Sequence, residues 1–188
     1  VQVLLNAKSP MLHVGHGVLW AEAWDELREF AELVQVPVAT TMAGKSAFPE
    51  DHPLSLGSGG RSGPRAVARF LAEADLIFAA GSSITSTPFG APVKPGKVAV
   101  QLTVDERDFN KDYKTAYPLM GDANLVLRQM IEEAQKQLGA QGRKGDDTVA
   151  REVKAVKDEW LSEWMPKLTS DSTPINPYRV VWEAQQVF

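Results

Sequence analysis

The sequence contains no cysteine, which excludes disulfides, thiolate metal sites and a thiol nucleophile. It also lacks a dominant charge. Twenty Lys and Arg stand against 24 Asp and Glu, a formal net charge of −4, and no basic block interrupts the mixture. Nucleic acid and acidic membranes are therefore not expected as partners. No apolar run approaches the ~18 residues needed to cross a bilayer. The opening Val1-Gln2-Val3-Leu4-Leu5 has neither a basic n-region nor a cleavage site, so no signal peptide is expected and the expected location is cytoplasmic. There is no initiator methionine, no internal repeat and no low-complexity tract. The missing methionine leads us to expect a piece of a longer polypeptide.

The 188 residues, 44% hydrophobic and 23% charged, suit one globular domain with an appendage. Leu4-Leu5-Asn6-Ala7 reads as the end of a helix, and Met11-Leu12-His13-Val14 as a buried strand closed by Gly15-His16-Gly17. Over residues 20–34, Trp20, Ala23, Trp24, Leu27, Phe30, Ala31 and Val34 recur at three and four, one apolar helix face. Pro37-Val38-Ala39-Thr40-Thr41 is a second strand, completing the strand–helix–strand unit of a parallel sheet. Residues 42–60 read as loop and residues 64–74 as helix. Leu76-Ile77-Phe78-Ala79-Ala80 is a continuous apolar strand of the kind covered on both faces. Residues 98–104 form another strand, Leu119-Met120 a short edge strand, and residues 123–138 a long helix that Asp122 can cap. A linker is expected over residues 139–147, then an amphipathic helix over 149–165 stopped by Pro166. A last helix starts at Pro177 and ends with Val180, Val181, Trp182 and Phe188 exposed. The fold class is α/β: an open, doubly wound parallel sheet of nucleotide-binding type with helices on both faces and a C-terminal helical extension.

Several motifs fail on chemistry. Ala39-Thr40-Thr41-Met42-Ala43-Gly44-Lys45-Ser46 resembles a phosphate-binding P-loop, the mark of a nucleotide hydrolase. A P-loop needs a helix starting at Lys45-Ser46, and Pro49 and Pro53 follow instead. Gly15-x-Gly17 begins a dinucleotide fingerprint, but Trp20 occupies the place of the third glycine and no acidic residue lies ~20 positions on to hold a ribose, so a conventional NAD-binding module is not expected. A deacetylase-like NAD module would need a catalytic histidine, for which His13 on a buried strand is a weak candidate. His13 and His16 on a strand and its exit turn point apart and make a poor metal pair. Trp160 and Trp164 share a helical face and read as packing residues.

What remains is a pattern of small and polar residues at strand ends. Gly15 and Gly17 follow the first strand, Thr40 and Thr41 end the second, Gly81 and Ser82 follow the third, Asp105 follows the next, and Asp122 precedes a helix. In an open parallel sheet, ligands bind beyond the carboxyl ends of the strands. Small residues admit a ligand there, hydroxyls bond phosphate or ribose oxygens, and carboxylates accept from ribose hydroxyls or an adenine amino group. The same residues also serve as ordinary turn and cap residues.

These segments carry a family likeness. Pro10-Met11-Leu12-His13-Val14-Gly15-His16-Gly17 resembles the opening of the central domain of thiamine-diphosphate enzymes such as acetolactate synthase, benzoylformate decarboxylase and oxalyl-CoA decarboxylase. Pro37-Val38-Ala39-Thr40-Thr41, then Gly44-Lys45-Ser46-Ala47-Phe48-Pro49-Glu50-Asp51-His52-Pro53-Leu54, is similar to the family's stretch after its second strand. Ala74-Asp75-Leu76 followed by Gly81, Val104-Asp105 and Gly121-Asp122-Ala123 match later positions. The likeness covers residues 1–138. It implies a central domain over 1–138, a linker and helix over 139–171, and the start of a diphosphate-binding domain over 172–188. It further implies an enzyme acting on 2-oxo acids, dimeric or tetrameric when whole. Thiamine diphosphate and Mg²⁺ would be held by N- and C-terminal domains outside this chain. Gly121-Asp122-Ala123 and Gly145-Asp146-Asp147 lack the second glycine of the family's metal motif, so no catalytic or metal-binding residue is assigned and the chain alone is expected to be inactive. In some members the central domain holds FAD or ADP at positions matching Gly15, Gly17, Thr40, Thr41, Gly81, Ser82, Asp105 and Asp122. In others it only braces its neighbours.

Overall fold

A computed structural model describes residues 1–60, 63–86, 88, 90 and 93–187; Phe188, expected to end the last helix, lies outside them. The elements are α1 (Gln2–Asn6), β1 (Pro10–Val14), α2 (Gly17–Trp20), α3 (Trp24–Val34), β2 (Val38–Thr41), β3 (Ser55–Gly59), α4 (Arg65–Glu73), β4 (Leu76–Ala80), β5 (Val98–Thr103), a 3₁₀ turn (Glu106–Asp108), β6 (Tyr117–Met120), α5 (Ala123–Leu138), α6 (Thr148–Leu168) and α7 (Pro177–Gln185). The six strands form one sheet in the order β3-β2-β1-β4-β5-β6, every neighbour parallel. The chain winds outward from β1 one way to β3, then returns to β4 and winds the other way. The strand order reverses between β1 and β4, where the crossovers leave a crevice.

Each face of the sheet has its own core. On β4, where every residue is buried, Leu76, Phe78 and Ala80 face α3 and α5 and join Leu27, Phe30, Leu127 and Ile131. Phe30 meets Phe78 edge-on with centroids 6.1 Å apart, a favoured aromatic geometry. Ile77 points the other way and joins Met11, Val67, Phe70, Leu71, Val153 and Val156 beneath α4 and α6. The continuous apolar run of β4 thus reflects burial on both sides.

Three local expectations are revised. The helix expected over residues 20–34 is two pieces, because Glu22 adopts φ 49° and turns the chain between α2 and α3. The turn shifts the apolar phase. Ala23 is buried, whereas Trp20 is 83% and Trp24 42% exposed, so neither indole lies on the core-facing stripe. The loop expected over 42–60 ends in a strand, β3, with a register shift where β2 passes from Val38 to Ala39. Finally, α6 continues through Pro166 to Leu168. Burial of Leu168 and the Thr169 hydroxyl donating to the Met165 carbonyl at 2.8 Å hold the last turn.

Residues 139–147 carry no regular element but are tightly docked. The Arg143 amide donates to the Leu33 carbonyl at 2.8 Å, satisfying an otherwise free carbonyl at the end of α3. Its guanidinium donates to the Leu5 carbonyl at 2.9 Å. From there α6 lies on α4. Val153 and Val156 enter the second core, and Arg65 forks onto both carboxylate oxygens of Glu163 at 2.5 and 2.7 Å. α7 packs on α6 through Trp164, which stacks with Trp160 (5.5 Å) and meets Tyr178 edge-on (5.0 Å). Among the described residues no helix is long and apolar enough to cross a membrane.

Candidate functional site

The crevice at the sheet's reversal is closed at its centre by glycines. The Gly15 amide donates to the Ala80 carbonyl at 2.9 Å and the Gly17 amide to the Gly81 carbonyl at 3.0 Å. A Cβ on Gly15 would lie 2.2 Å from the Gly81 oxygen, and one on Gly17 2.7 Å from the Gly81 Cα. Gly81 itself has φ 59°, a left-handed conformation that costs glycine least. These three glycines let the two strand-exit loops touch backbone to backbone.

The contact divides the carboxyl edge of the sheet into two clefts. One, of about 570 Å³, opens toward α2 and α5 and is lined by Gly17, Trp20, Gly81, Thr103, Lys111 and Asp122, among others. The other, of about 430 Å³, opens toward α4 and is lined by His13, Gly15, Thr41, Val67, Ser82 and Tyr113, among others. Six of the eight positions singled out in the sequence therefore border one cleft or the other. The remaining two line neither. The Thr40 hydroxyl lies 2.9 Å from the Ser58 hydroxyl, which in turn donates to Glu50 at 2.8 Å, so Thr40 stitches β2 to β3. Asp105 caps the 3₁₀ turn, accepting from the Arg107 amide at 3.0 Å and from its guanidinium. Those Arg107 hydrogen bonds hold the Asp105 carboxyl down at about 2. Asp122 caps α5 with one oxygen, accepting from the Leu125 amide at 3.2 Å.

His13 lies on β1 with Nδ1 3.3 Å from the Ser82 hydroxyl. Burial is the main cause that lowers its pKa from 6.5 to about 4, opposed by a hydrogen bond with its own backbone. The ring is neutral at pH 7. Between these two values the unfolded chain binds the proton more readily than the folded one, so stability is full above pH 6.5 and falls as the pH drops toward about 4. We expect urea midpoints measured from pH 7 to pH 4 to decline, and the His13→Gln variant to decline less over the same range. Parallel curves would mean that other groups govern the acid response.

Behind the second cleft lies a polar network that the sequence does not announce. Gln101, 1% exposed on β5, donates to the carbonyls of Ser82 (3.1 Å) and Asp108 (3.0 Å) and accepts from the Thr115 hydroxyl at 2.7 Å. A lone glutamine in an apolar strand is the available signal: central in a parallel sheet, its amide must find buried partners. It fixes the loops after β4 and β5 that border both clefts. Gln101→Leu leaves two carbonyls and a hydroxyl unpaired and should lower stability by about 2 kcal/mol, read from chemical denaturation. A change under roughly 0.5 kcal/mol, the scale of an ordinary surface substitution, would show that water replaces the amide.

The described residues do not fit a Mg²⁺–diphosphate centre. They contain no group of three or more His, Asp or Glu side chains placed to hold a metal, and Asp122 is engaged in capping. Nor is there a P-loop. No helix follows Gly44-Lys45-Ser46, a Cβ on Gly44 would lie 2.6 Å from the Val14 carbonyl oxygen, and Lys45 pairs with Glu50 at 3.5 Å.

A doubly wound parallel sheet whose strand tips border clefts at its reversal defines a domain of nucleotide-binding type. Residues 1–130 match the family model described as the thiamine pyrophosphate enzyme central domain, and the chain belongs to that family. It is 29% identical to a protein of Methanocaldococcus jannaschii assigned as a probable acetolactate synthase large subunit, over 99% of this chain and 30% of that protein. It is 34% identical to the acetolactate synthase large subunit of Corynebacterium glutamicum, over 70% of this chain and 21% of that protein. Among solved structures, an enzyme of Mycobacterium smegmatis assigned as thiamin diphosphate-dependent aligns with a TM-score of 0.57 at 29% identity, covering 70% of this chain and 26% of that one. The chain thus spans about a third or less of the curated relatives it matches.

Proposed function

We propose that this chain serves as the central domain of a larger thiamine-diphosphate- and Mg²⁺-dependent enzyme acting on 2-oxo acids, of acetolactate synthase type. In that enzyme it braces flanking domains that carry the cofactor, and it holds an adenine nucleotide, ADP or the ADP portion of FAD, along its strand tips. The observation that carries the reading is the crevice itself: a glycine-closed reversal flanked by two clefts, in a family member whose described residues present no metal-binding constellation. Gly15, Thr41 and Ser82 border one cleft and Gly17, Gly81 and Asp122 the other. Thr40 and Asp105 act from behind them by fixing the loops. Thiamine diphosphate supplies carbanion chemistry; this chain's part is position and support.

Two measurements test the reading. A whole enzyme containing this domain should form acetolactate from pyruvate when given thiamine diphosphate and Mg²⁺ and should run as a dimer or tetramer, while the 188-residue chain should be inactive under the same conditions. Turnover by the chain alone would overturn the bracing role. Calorimetric titration of the chain with FAD, ADP and CoA tests the nucleotide part, and the absence of heat with all three would remove it.

A further inference from the structure

Another cavity, of about 160 Å³, lies at the opposite edge of the sheet, where Pro10 opens β1 and Pro37 leads into β2. Its apolar part is built from Ala7, Pro10, Pro37, Phe70 and Val149, and its rim from Ser9, Gln35 and four charged side chains. The charges are sorted by wall. Lys8 follows α1, and the Arg143 guanidinium is fixed on the same side by its bond to the Leu5 carbonyl at 2.9 Å. Glu73 and Glu152 come from α4 and α6, one turn along from Phe70 and Val149. Arg69 bonds Glu73 at 3.2 Å and reaches Glu152 at 3.7 Å, so two carboxylates share one guanidinium and that wall stays net negative. Lys8 and Arg143 form no ion pair among the described residues, although Arg65 and Arg69 along the neighbouring seam are both paired. The backbone behind the cations is held. Asp75 accepts from the amides of Lys8 at 2.8 Å and Ser9 at 3.0 Å, and the Arg143 amide bonds the Leu33 carbonyl.

Opposite charges held apart across an apolar floor match the parts of a free amino acid. Its carboxylate meets the guanidinium and ammonium of one wall, its ammonium meets the carboxylates of the other, and its side chain covers Phe70 and Val149. Size agrees, since a cavity of ~150 Å³ admits benzene. The walls are preformed, which spares a ligand the cost of ordering them. We propose that this cavity binds a free amino acid with a small apolar side chain. The site lies at the edge of the sheet away from the strand-tip clefts, and the inference does not depend on the nucleotide reading.

The probes are L-norvaline, pentanoate, which lacks its amine, and butylamine, which lacks its carboxylate. L-Norvaline should shift the amide resonances of Lys8, Arg143 and Glu152 in the NMR spectrum of the intact chain, with a Kd of about 1 mM. Pentanoate and butylamine should each bind about fivefold more weakly or worse, the effect of losing one partly solvated ion pair. Glu152→Gln should weaken L-norvaline about fivefold and leave pentanoate unchanged. Lys8→Gln should weaken L-norvaline and pentanoate and leave butylamine unchanged. Both side chains lie on the exposed rim and Arg69 keeps Glu73, so melting temperatures equal to the parent's serve as the folding control. No shift at these amides with about 20 mM L-norvaline, twentyfold the expected Kd, would overturn the site. Pentanoate binding as tightly as L-norvaline, or parental L-norvaline affinity in Glu152→Gln, would overturn the amino-acid assignment.

Discussion

Gly15→Ala should destabilise the domain by about 4 kcal/mol, at the upper end for a single substitution, and lower its melting temperature by roughly 8–16 °C. The added methyl would sit 2.2 Å from the Gly81 carbonyl oxygen and 2.8 Å from the Ser82 Cα. Both obstacles are backbone, so no side-chain rotation relieves them. Separating the loops by an ångström would stretch the Gly15 amide to Ala80 carbonyl bond of 2.9 Å and the Gly17 amide to Gly81 carbonyl bond of 3.0 Å, which tie β1 to β4 at the centre of the sheet. Gly96 supplies the control. Unlike Gly15 it has positive φ, 91°, but a Cβ there meets nothing within 4 Å, so Gly96→Ala should cost only the conformational penalty of about 1–2 kcal/mol. If thermal melts place Gly15→Ala within 1 kcal/mol of Gly96→Ala, the strand-exit loops are more compliant than close backbone packing allows.

The same glycines show how far the sequence carries the site. Their place at strand ends is legible, because a continuous apolar run such as Leu76-Ile77-Phe78-Ala79-Ala80 closing on Gly81 announces a buried parallel strand and its exit. Their use is not. From sequence, small residues at a reversal read as room for a ligand. In the structure the room is filled by the opposite loop, and the space lies to either side. That distinction depends on the distance between two loops 66 residues apart, Gly15 and Gly81, which no local pattern encodes. Asp122 is a case where local pattern suffices: the acid one residue before a helix caps it. Asp105 is another: it stands just before the 3₁₀ turn, caps it and pairs with Arg107 two residues on. The strand β3 escapes because Ser55-Leu56-Gly57-Ser58-Gly59 has the composition of a turn; only pairing with β2 makes it a strand, a tertiary override of weak β-propensity. The Trp20 and Trp24 spacing misleads for the opposite reason, because a good helical period continues across Glu22, where the backbone breaks it.

The two clefts are also unequal, and the difference follows from what covers them. The one toward α4 has buried groups already satisfied: His13 and Ser82 face one another, and Gln101 holds the Ser82 carbonyl. The one toward α2 and α5 presents an exposed indole and a carboxylate oxygen with no bond among the described residues. A ligand spanning both must pass the Gly15–Gly81 contact over its outer surface, since no passage exists through it. An extended ligand with a slender linking group suits that path.

Ending the chain at Leu138, the last residue of α5, should abolish cooperative folding, whereas ending it at Thr169 should shift the melting temperature by only a few degrees. The shorter cut removes the Arg143 amide that satisfies the Leu33 carbonyl and removes α6, whose Val153 and Val156 are each 1% exposed against Met11, Val67, Leu71 and Ile77. It also leaves Arg65 without Glu163. Parallel sheets are stable when both faces are covered, and without α6 the second core is roofed mainly by α4. Each fully buried aliphatic side chain newly exposed costs about 1.5–3 kcal/mol, so uncovering a few of them consumes the ~5–15 kcal/mol by which a domain of this kind is stable. The longer cut removes α7, which contributes no buried residue. Near-UV circular dichroism with dye binding separates the outcomes. The 1–138 chain should keep helical signal, lose its aromatic signature and bind a hydrophobic dye, while the 1–169 chain should match the parent. A sharp melt of the 1–138 chain within a few degrees of the parent would show that α6 is an appendage resting on a completed domain.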